Sequence, residues 1–369
     1  MNFAKKGSAL KKSSHTTDDA APRLVEALIQ QAERTGASDI HLQMVGPQAR
    51  VAFRLDGLMT PAKDLDGEIG ERVFGRIKYL ARLKTYQESL PQDGRIAKAD
   101  VGAQNDVRVA TYPTVTGEKI VLRLFQHSAV QTLGELQFPK DVTAELEKFL
   151  RQSTGSLLLT GPAGSGKTTT IYACLRYLTD LGGRHIITVE DPVEQVIPGI
   201  MQTEVNEARG LNFATAARHL LRQDPQVLTL GEIRDAETAN LAVQAALTGH
   251  LVISTLHAGS CKGVLERLMV MCPDHYAVIS ATTLVLNQRL MRRLCAACAG
   301  AGCATCLQTG YRGRVPVIEW VRLDDSLRRE LRSRGPDAIV PAHPLAEAAR
   351  ELCARHISNQ AEYERVIGS

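Results

Sequence analysis

Aromatic residues and net charge are both scarce in this sequence. A single Trp and an aromatic fraction of 4% accompany a formal net charge of only +4 over 369 residues. Proteins that hold single-stranded nucleic acid usually stack its bases on aromatic side chains within a strongly basic groove. We therefore expect no direct contact between this protein and nucleic acid.

A long apolar run is also missing. No stretch approaches the roughly 20 apolar residues of a membrane-spanning helix, and the lysine-containing N-terminus has no apolar core of a secretory signal. These absences predict a cytoplasmic protein that does not span a membrane. Thiols stay reduced in that compartment, so clustered cysteines there favour a metal site over disulfides.

The pattern of residues along the chain predicts two domains. Residues 1–20 are polar and are expected to form a flexible tail. Residues 21–126 mix helical and strand patterns and predict a small α+β domain, which a linker at 127–138 follows. In residues 139–369, buried strand patterns alternate with helical ones. This alternation predicts an α/β domain with a parallel sheet and helices on both of its faces.

A glycine-rich segment, GPAGSGKTTT at 161–170, follows an apolar strand pattern and opens a helix. It matches G-x-x-x-x-G-K-[ST], in which backbone N–H groups at a helix N-terminus enclose phosphate oxygens. Lys167 would reach the β- and γ-phosphates, and the Thr168 hydroxyl would ligate Mg²⁺. The predicted nucleotide-binding residues are Gly161, Pro162, Ala163, Gly164, Ser165, Gly166, Lys167, Thr168 and Thr169.

Acidic residues follow two other strands of the predicted sheet. Glu232 stands where a Walker B carboxylate is expected, although Gly231 occupies the usual Asp position. Glu190, Asp191 and Glu194 end another strand pattern. Because the carboxyl ends of parallel strands share one crevice, we expect these acids near the nucleotide, where phosphoryl transfer uses them for the metal and the attacking water. For any single one, a solvated loop carboxylate is the alternative.

Two histidines, His250 and His257, flank a further buried strand pattern. A His beside a γ-phosphate can donate a hydrogen bond to it. An isolated His more often satisfies a local backbone group, and the residues alone leave both interpretations open.

Four cysteines occur in the twelve residues CAACAGAGCATC. Their C-x2-C-x4-C-x2-C spacing offers two thiolate pairs for a tetrahedral Zn²⁺. The Ala and Gly residues between them have no bulk that could order the segment by apolar burial, whereas a structural metal could. The predicted zinc ligands are Cys295, Cys298, Cys303 and Cys306. A loop with spare thiols, or a redox pair, is the alternative.

Several of these motifs, taken in order, resemble a known family. GPAGSGKTTT, ITVEDPVE, LRQDPQVLTLGEIRD and TGHLVISTLHA resemble the motifs of the type II secretion and type IV pilus assembly ATPases of the secretion superfamily. Upstream, SDIHLQ, FRLDG, LPQDGRI and YPTVTGEKIVLRL resemble that family's second N-terminal domain. The resemblance implies a PAS-like domain before a RecA-like P-loop ATPase domain with a tetracysteine insertion at 295–306 and a helical C-terminal end.

The same resemblance implies partners and residue roles. ATP and Mg²⁺ would bind within a homo-hexameric ring, peripheral to the membrane, that acts on an inner-membrane platform protein to add pilin subunits. Glu232 would hold Mg²⁺ through water, and Glu194 would orient or deprotonate the attacking water. Glu190 and Asp191 would belong to an Asp box, and the two histidines to a His box. Family members usually carry a further N-terminal domain, whereas about 20 residues precede the matching part here.

Three arginines of the predicted N-terminal domain match family residues that reach a nucleotide, in the same or a neighbouring subunit. They are Arg95, Arg108 and Arg123. Ordinary surface or strand-edge charge is the alternative for each of them.

Other functions on the same core are alternatives to pilus assembly. They are a retraction motor, a conjugation or type IV secretion traffic ATPase, a nucleic-acid translocase and a non-hydrolysing scaffold. By the resemblance, retraction motors lack the cysteine pairs, which favours assembly. The low net charge speaks against the translocase, and the intact Lys167 and Glu232 speak against the scaffold.

Overall fold

The chain divides into two compact units. The computed structural model describes residues 20–124 and 130–368. Met1–His127 and Cys295–Gly313 form the N-terminal unit, and Ser128–Leu294 with Arg314–Ser369 form the ATPase unit, named here for its sequence motif. The predicted tail lies outside the described residues except for Ala20. No helix among the described residues is long and apolar enough to cross a membrane.

The N-terminal unit is built on one antiparallel sheet in the order β3-β2-β1-β6-β5-β4. Its elements are α1 (Ala20–Thr35), β1 (Asp39–Val45), β2 (Gln48–Leu55), β3 (Leu58–Asp66), α2 (Gly67–Leu80), β4 (Gln92–Ile96), α3 (Lys98–Val101), β5 (Val107–Thr114) and β6 (Gly117–Leu124).

Strand alternation decides which face of this sheet is covered. Apolar residues such as Ile40, Leu42 and Phe53 are fully buried in one core with the apolar stripes of α1 and α2. The intervening strand residues are mostly half-buried or exposed. The sheet therefore has one face packed against helices and one polar face, as expected for a two-layer α+β domain.

The ATPase unit contains the remaining helices and strands. They are α4 (Lys140–Leu150), β7 (Gly155–Thr160), α5 (Lys167–Leu181), β8 (Ile186–Glu190), β9 (Met201–Glu204), α6 (Phe213–Leu220), β10 (Val227–Leu230), α7 (Ala236–Leu247), β11 (Leu251–Thr255), α8 (Cys261–Met271), α9 (His275–Ala281), β12 (Thr282–Leu294), β13 (Tyr311–Arg322), α10 (Asp325–Arg334), α11 (Leu345–Ala354) and α12 (Gln360–Ile367). The first three residues of β13 belong to the N-terminal unit.

The seven strands of this unit form a sheet in the order β13-β12-β7-β11-β10-β8-β9. Every pair from β12 to β9 is parallel. Leu157 and Leu159 of β7 pack into the core on the α4 and α5 side, whereas Leu158 packs into the core with α6 to α10. The predicted α/β architecture, with helices on both faces of a parallel sheet, is therefore confirmed.

The segment predicted as a linker at 127–138 is partly structured. A 3-10 helix, Leu133–Leu136, begins at Thr132 with a capping box and buries both of its leucines in the ATPase-unit core. The first residues of the predicted linker, 127–129, lie outside the described residues.

Candidate functional site

The glycine-rich segment forms the turn from β7 into α5. Gly161, Gly164 and Gly166 all have positive φ values, of 144°, 74° and 91°. A Cβ at Gly161 would lie 2.3 Å from the Gln288 carbonyl oxygen, and one at Gly166 would lie 2.7 Å from Gln288 Nε2. Only glycine fits these two positions, so the sequence is matched to a tight loop that leads into the N-terminus of α5.

Lys167 is held across this loop. Its Nζ donates hydrogen bonds to the carbonyl oxygens of Gly161, at 2.8 Å, and Pro162, at 3.0 Å. Burial lowers the pKa of Lys167, and the negative charge of Glu232 opposes that shift. Because Glu232 acts on this ammonium group, the two residues belong to one electrostatic site.

The loop also presents hydroxyl groups. Thr168 and Thr169 are exposed on the first turn of α5, where a hydroxyl can reach a phosphate-bound cation. Ser165 is buried, and its Oγ has no hydrogen-bond partner among the described residues. An orphaned buried hydroxyl in a phosphate-type loop fits a site that a polar ligand completes.

Acidic and basic groups converge at the carboxyl ends of three adjacent strands, β8, β10 and β11. Glu232 Oε1 lies 3.0 Å from His257 Nε2, and its Oε2 accepts a hydrogen bond from Arg234 Nε at 2.8 Å. Arg234 Nη1 lies 3.3 Å from Asp191 Oδ2. The structure thus brings together Glu232, Asp191 and His257 from different strand ends, as the parallel topology requires.

Arg234 was not predicted from the sequence. It also lies over the Phe213 ring, 5.6 Å from the centroid, and its hydrogen bond to Glu232 raises its pKa. It follows the predicted Glu232 by two residues. Its charge could have been noticed there, but its bridge to Asp191 depends on tertiary structure.

Glu190 and Glu194 have different environments. Glu190 is buried and accepts hydrogen bonds from Tyr172 Oη, Thr188 Oγ1 and Gln202 Nε2. The Glu194 side chain is exposed, and its backbone N–H donates to Tyr172 Oη at 3.1 Å. Tyr172 therefore connects the two: Glu190 anchors the segment, and Glu194 presents its carboxylate to solvent from that anchored backbone.

His250 lies away from these groups. Its Nδ1 lies 3.0 Å from the Ala245 carbonyl oxygen, and it precedes the first residue of β11. Since β11 runs parallel to β7, the start of β11 is at the edge opposite the phosphate-type loop, about 16 Å away for five residues. Within one chain the structure does not bring His250 to the site, which favours the local backbone role.

The three candidate arginines share one row on the polar face of the N-terminal sheet. Arg95 of β4 is opposite Arg108 of β5, and Arg108 is opposite Arg123 of β6. Arg95 forms an ion pair with Asp106. The side chain of Arg123 is 67% exposed. The row concentrates positive charge on one strip of this unit.

The four predicted metal-ligating cysteines form a compact cluster. Their sulfur atoms all lie within 4.8 Å of one another. Three of the Sγ–Sγ distances are 3.9, 3.9 and 3.7 Å. Thiolates bound tetrahedrally at about 2.3 Å from Zn²⁺ would be separated by about 3.8 Å. The donor set therefore fits zinc.

Backbone donors around the cluster favour thiolates. The N–H groups of Cys303 and Gly310 each point to Cys306 Sγ at 3.3 Å. Although burial acts in the opposite direction, these donors lower the pKa of Cys306 to about 6. A Cβ at Gly310 would lie 2.4 Å from the Gly300 carbonyl oxygen. The close approach of the chain at Gly310 thus requires glycine. The resulting backbone donors stabilise the Cys306 thiolate, which is the form that binds a metal.

The cysteine segment, Cys295–Gly313, groups with the N-terminal unit by its contacts. Leu307 packs against the core of α1, α2 and their sheet, and the Gly313 N–H donates to Asp56 Oδ2 at 2.9 Å. The resemblance implied that residues 295–306 are an insertion in the ATPase domain of residues 139–369. Their contacts instead place Cys295–Gly313 in the N-terminal unit.

Comparison with known proteins identifies a family and several relatives. Residues 14–360 match the family described as "Type II/IV secretion system protein". The chain is 41% identical over 367 residues to type II secretion system protein HxcR of Pseudomonas aeruginosa, covering 96% of this chain and 76% of that one. It is 37% identical to type II secretion system protein E of Klebsiella pneumoniae, covering 95% of this chain and 77% of that protein.

Solved structures share the fold. The ATPase DotB of Legionella pneumophila matches with a TM-score of 0.70 at 21% identity, over 93% of this chain and 95% of that one. The pilus retraction motor PilT with bound ADP matches with a TM-score of 0.65 at 25% identity, over 92% of this chain and 96% of that one. The family match over residues 14–360 and these relatives show that the chain belongs to the type II/IV secretion system protein family, among relatives of type II secretion system protein E.

Proposed function

We propose that this protein is a Mg²⁺-dependent ATP hydrolase that works as a homo-hexameric motor for assembling a type IV pilus or a type II secretion pseudopilus. It would act peripherally, at the cytoplasmic face of the inner membrane, on a platform protein. One observation supports ATP hydrolysis most strongly. The Lys167 loop and the cluster of Glu232, Arg234 and Asp191 lie at the same edge of a parallel sheet.

The residues of this edge can divide the work of phosphoryl transfer. Lys167 would exchange its loop carbonyls for β- and γ-phosphate oxygens, because a phosphate is a stronger acceptor than a peptide carbonyl. Glu194, exposed on an anchored backbone, would orient or deprotonate the attacking water. Mg²⁺, held by Thr168 and through water by Glu232, would supply charge neutralisation on the phosphates. Arg234 and His257 would fix the direction of the Glu232 carboxylate.

The arginine row supplies the remaining positive charge in this proposal. Phosphoryl transfer spreads negative charge over the equatorial oxygens, and a guanidinium group that reaches them stabilises it. Arg108 and Arg123 project from neighbouring strands on the same sheet face. A ring would bring this face to a nucleotide of its own or a neighbouring subunit, and hydrolysis would then move the two units relative to each other.

The cysteine cluster supports assembly over retraction, because the resemblance implies that retraction motors typically lack the cysteine pairs. We expect about one zinc per chain in protein that has never been exposed to a chelator, because the four cysteine sulfur atoms already lie at the separations of zinc ligands. Metal analysis by inductively coupled plasma spectrometry checks this number. Cys306→Ser should lose the zinc, whereas Cys353→Ser, which changes a cysteine outside the cluster, should keep it. A metal-free native protein would overturn the zinc assignment.

The filament served is tested in cells. Deleting the gene should abolish either surface pili or type II secretion, and wild-type protein should restore the lost process. The Lys167→Ala protein should fail to restore it. Normal pili and normal secretion, together with lost conjugation or lost pilus retraction, would replace assembly by a traffic or retraction role on the same ATPase.

A further inference from the structure

One acidic residue interrupts the row of arginines on the N-terminal sheet. Asp39, the first residue of β1, stands opposite Arg123 of β6 on one side and opposite Arg54 of β2 on the other. Directly opposed side chains in an antiparallel sheet have Cβ atoms about 5 Å apart. One carboxylate therefore lies between two guanidinium groups.

Asp39 is buried although it lies in this polar row. It is 4% exposed, accepts a hydrogen bond from Arg123 Nε at 3.0 Å and one from Ser38 Oγ at 2.8 Å, and lies 3.3 Å from Arg54 Nε. Burial alone would raise the pKa of Asp39, but the hydrogen bonds from Arg123 and Ser38 hold it below its usual value. The group is an ionised, fully engaged anchor.

The two arginines that it anchors differ in what they have left to donate. Arg54 uses Nη1 on the Gly57 carbonyl oxygen at 3.3 Å, and its Nη2 lies 3.5 Å from His41 Nε2. Arg123 donates to Asp39 through Nε, and its two terminal nitrogens form no hydrogen bond or ion pair within the described residues. Arg123 is thus fixed at its inner nitrogen and open at its outer edge.

The geometry points to Asp39 as a positioning residue that fixes the guanidinium of Arg123 so that its terminal nitrogens meet a phosphate oxygen of the nucleotide. This inference rests on the proposed function, since it needs Arg123 to act on ATP. A free arginine has many rotamers, and ordering one upon binding costs free energy. A carboxylate on Nε removes that cost and leaves the planar outer edge for an oxyanion.

A double-mutant cycle on the purified full-length chain tests the inference. Arg123→Ala should lower kcat strongly. Asp39→Asn should lower kcat at least about tenfold, because small misplacements of a catalytic group are costly, with a smaller change in KM. In the Arg123→Ala background, Asp39→Asn should change kcat no further, because its effect passes through Arg123.

A matched control separates positioning from stability. Glu362 is also a buried carboxylate paired with two arginines, Arg292 and Arg365, in the ATPase unit. Glu362→Gln should lower Tm as Asp39→Asn does, yet keep kcat near the wild-type value. Equal losses of kcat in both variants would assign Asp39 a purely structural role and overturn the inference.

The other possible outcomes distinguish failure of the proposed function from failure of the inference alone. If Arg123→Ala leaves kcat unchanged, the arginine part of the proposed function fails and the inference fails with it. If Arg123→Ala is defective but folded Asp39→Asn is normal, or if the two losses are additive, only the inference fails. Arg123→Lys covers the case in which Asp39→Asn does not fold. A lysine cannot be held at Nε while presenting a planar edge, so wild-type kcat in Arg123→Lys would overturn positioning.

Discussion

Replacing Lys167 by Ala will abolish ATP hydrolysis while both units stay folded. Lys167 is the ammonium group of the glycine-rich loop, and its present hydrogen bonds go only to loop carbonyls. Its removal therefore breaks no hydrogen bond between secondary-structure elements within the described part of the chain. Loss of a preorganised charge at a phosphoryl centre is expected to slow turnover by at least about 100-fold. Phosphate release measures turnover, and circular dichroism measures the fold.

A lysine outside the site provides the matched control for Lys167→Ala. Lys148 on α4 forms a weak surface pair with Glu145 at 3.8 Å and has a side chain that is 61% exposed. Lys148→Ala should hydrolyse ATP at the wild-type rate. Turnover in Lys167→Ala equal to that in Lys148→Ala would remove the glycine-rich loop from catalysis.

Replacing Glu194 by Gln will leave ATP binding intact and reduce hydrolysis strongly. The exposed Glu194 carboxylate forms no hydrogen bond or ion pair among the described residues, and only its backbone N–H is engaged. Neutralising the carboxylate should therefore leave Tm unchanged. A general base typically contributes 100-fold or more, so kcat should fall by at least about 100-fold. Fluorescent-nucleotide binding and phosphate release measure the two effects separately.

The neighbouring Glu190 should behave in the opposite way. Its buried carboxylate accepts three hydrogen bonds, and weakening such bonds by Glu190→Gln should reduce the free energy of unfolding by about 1–3 kcal/mol. Normal turnover in Glu194→Gln would take the water-orienting role away from Glu194. A loss of kcat confined to Glu190→Gln, with unchanged Tm, would transfer that role to Glu190.

Strand ends in the ATPase unit were predictable because buried parallel strands are continuous apolar runs. Leu157–Leu159 is a run of this kind. The parallel order of the strands then places the acidic residues that follow the other strands at the same end of the sheet. β4 was not predicted. It buries only Ile96 among its five residues, so it shows no clear apolar alternation.

Contacts that depend on tertiary packing could also not be predicted from the sequence. The two histidines flank one strand, but only His257 lies at its carboxyl end, so proximity in sequence did not imply proximity in space. Asp39 was not predicted because both of its arginine partners come from other strands. The association of the cysteine segment with the N-terminal unit depends on the burial of Leu307 there, which no local pattern indicates.

The central claim is that this chain hydrolyses ATP at the edge formed by the Lys167 loop and the Glu232 cluster. The most direct test is phosphate release from ATP by the purified protein, with and without added Mg²⁺, beside the Lys167→Ala protein. The account predicts steady turnover that requires Mg²⁺ and is absent in Lys167→Ala. ATP bound by the wild-type protein without any release of phosphate, or release that persists in Lys167→Ala, would contradict it.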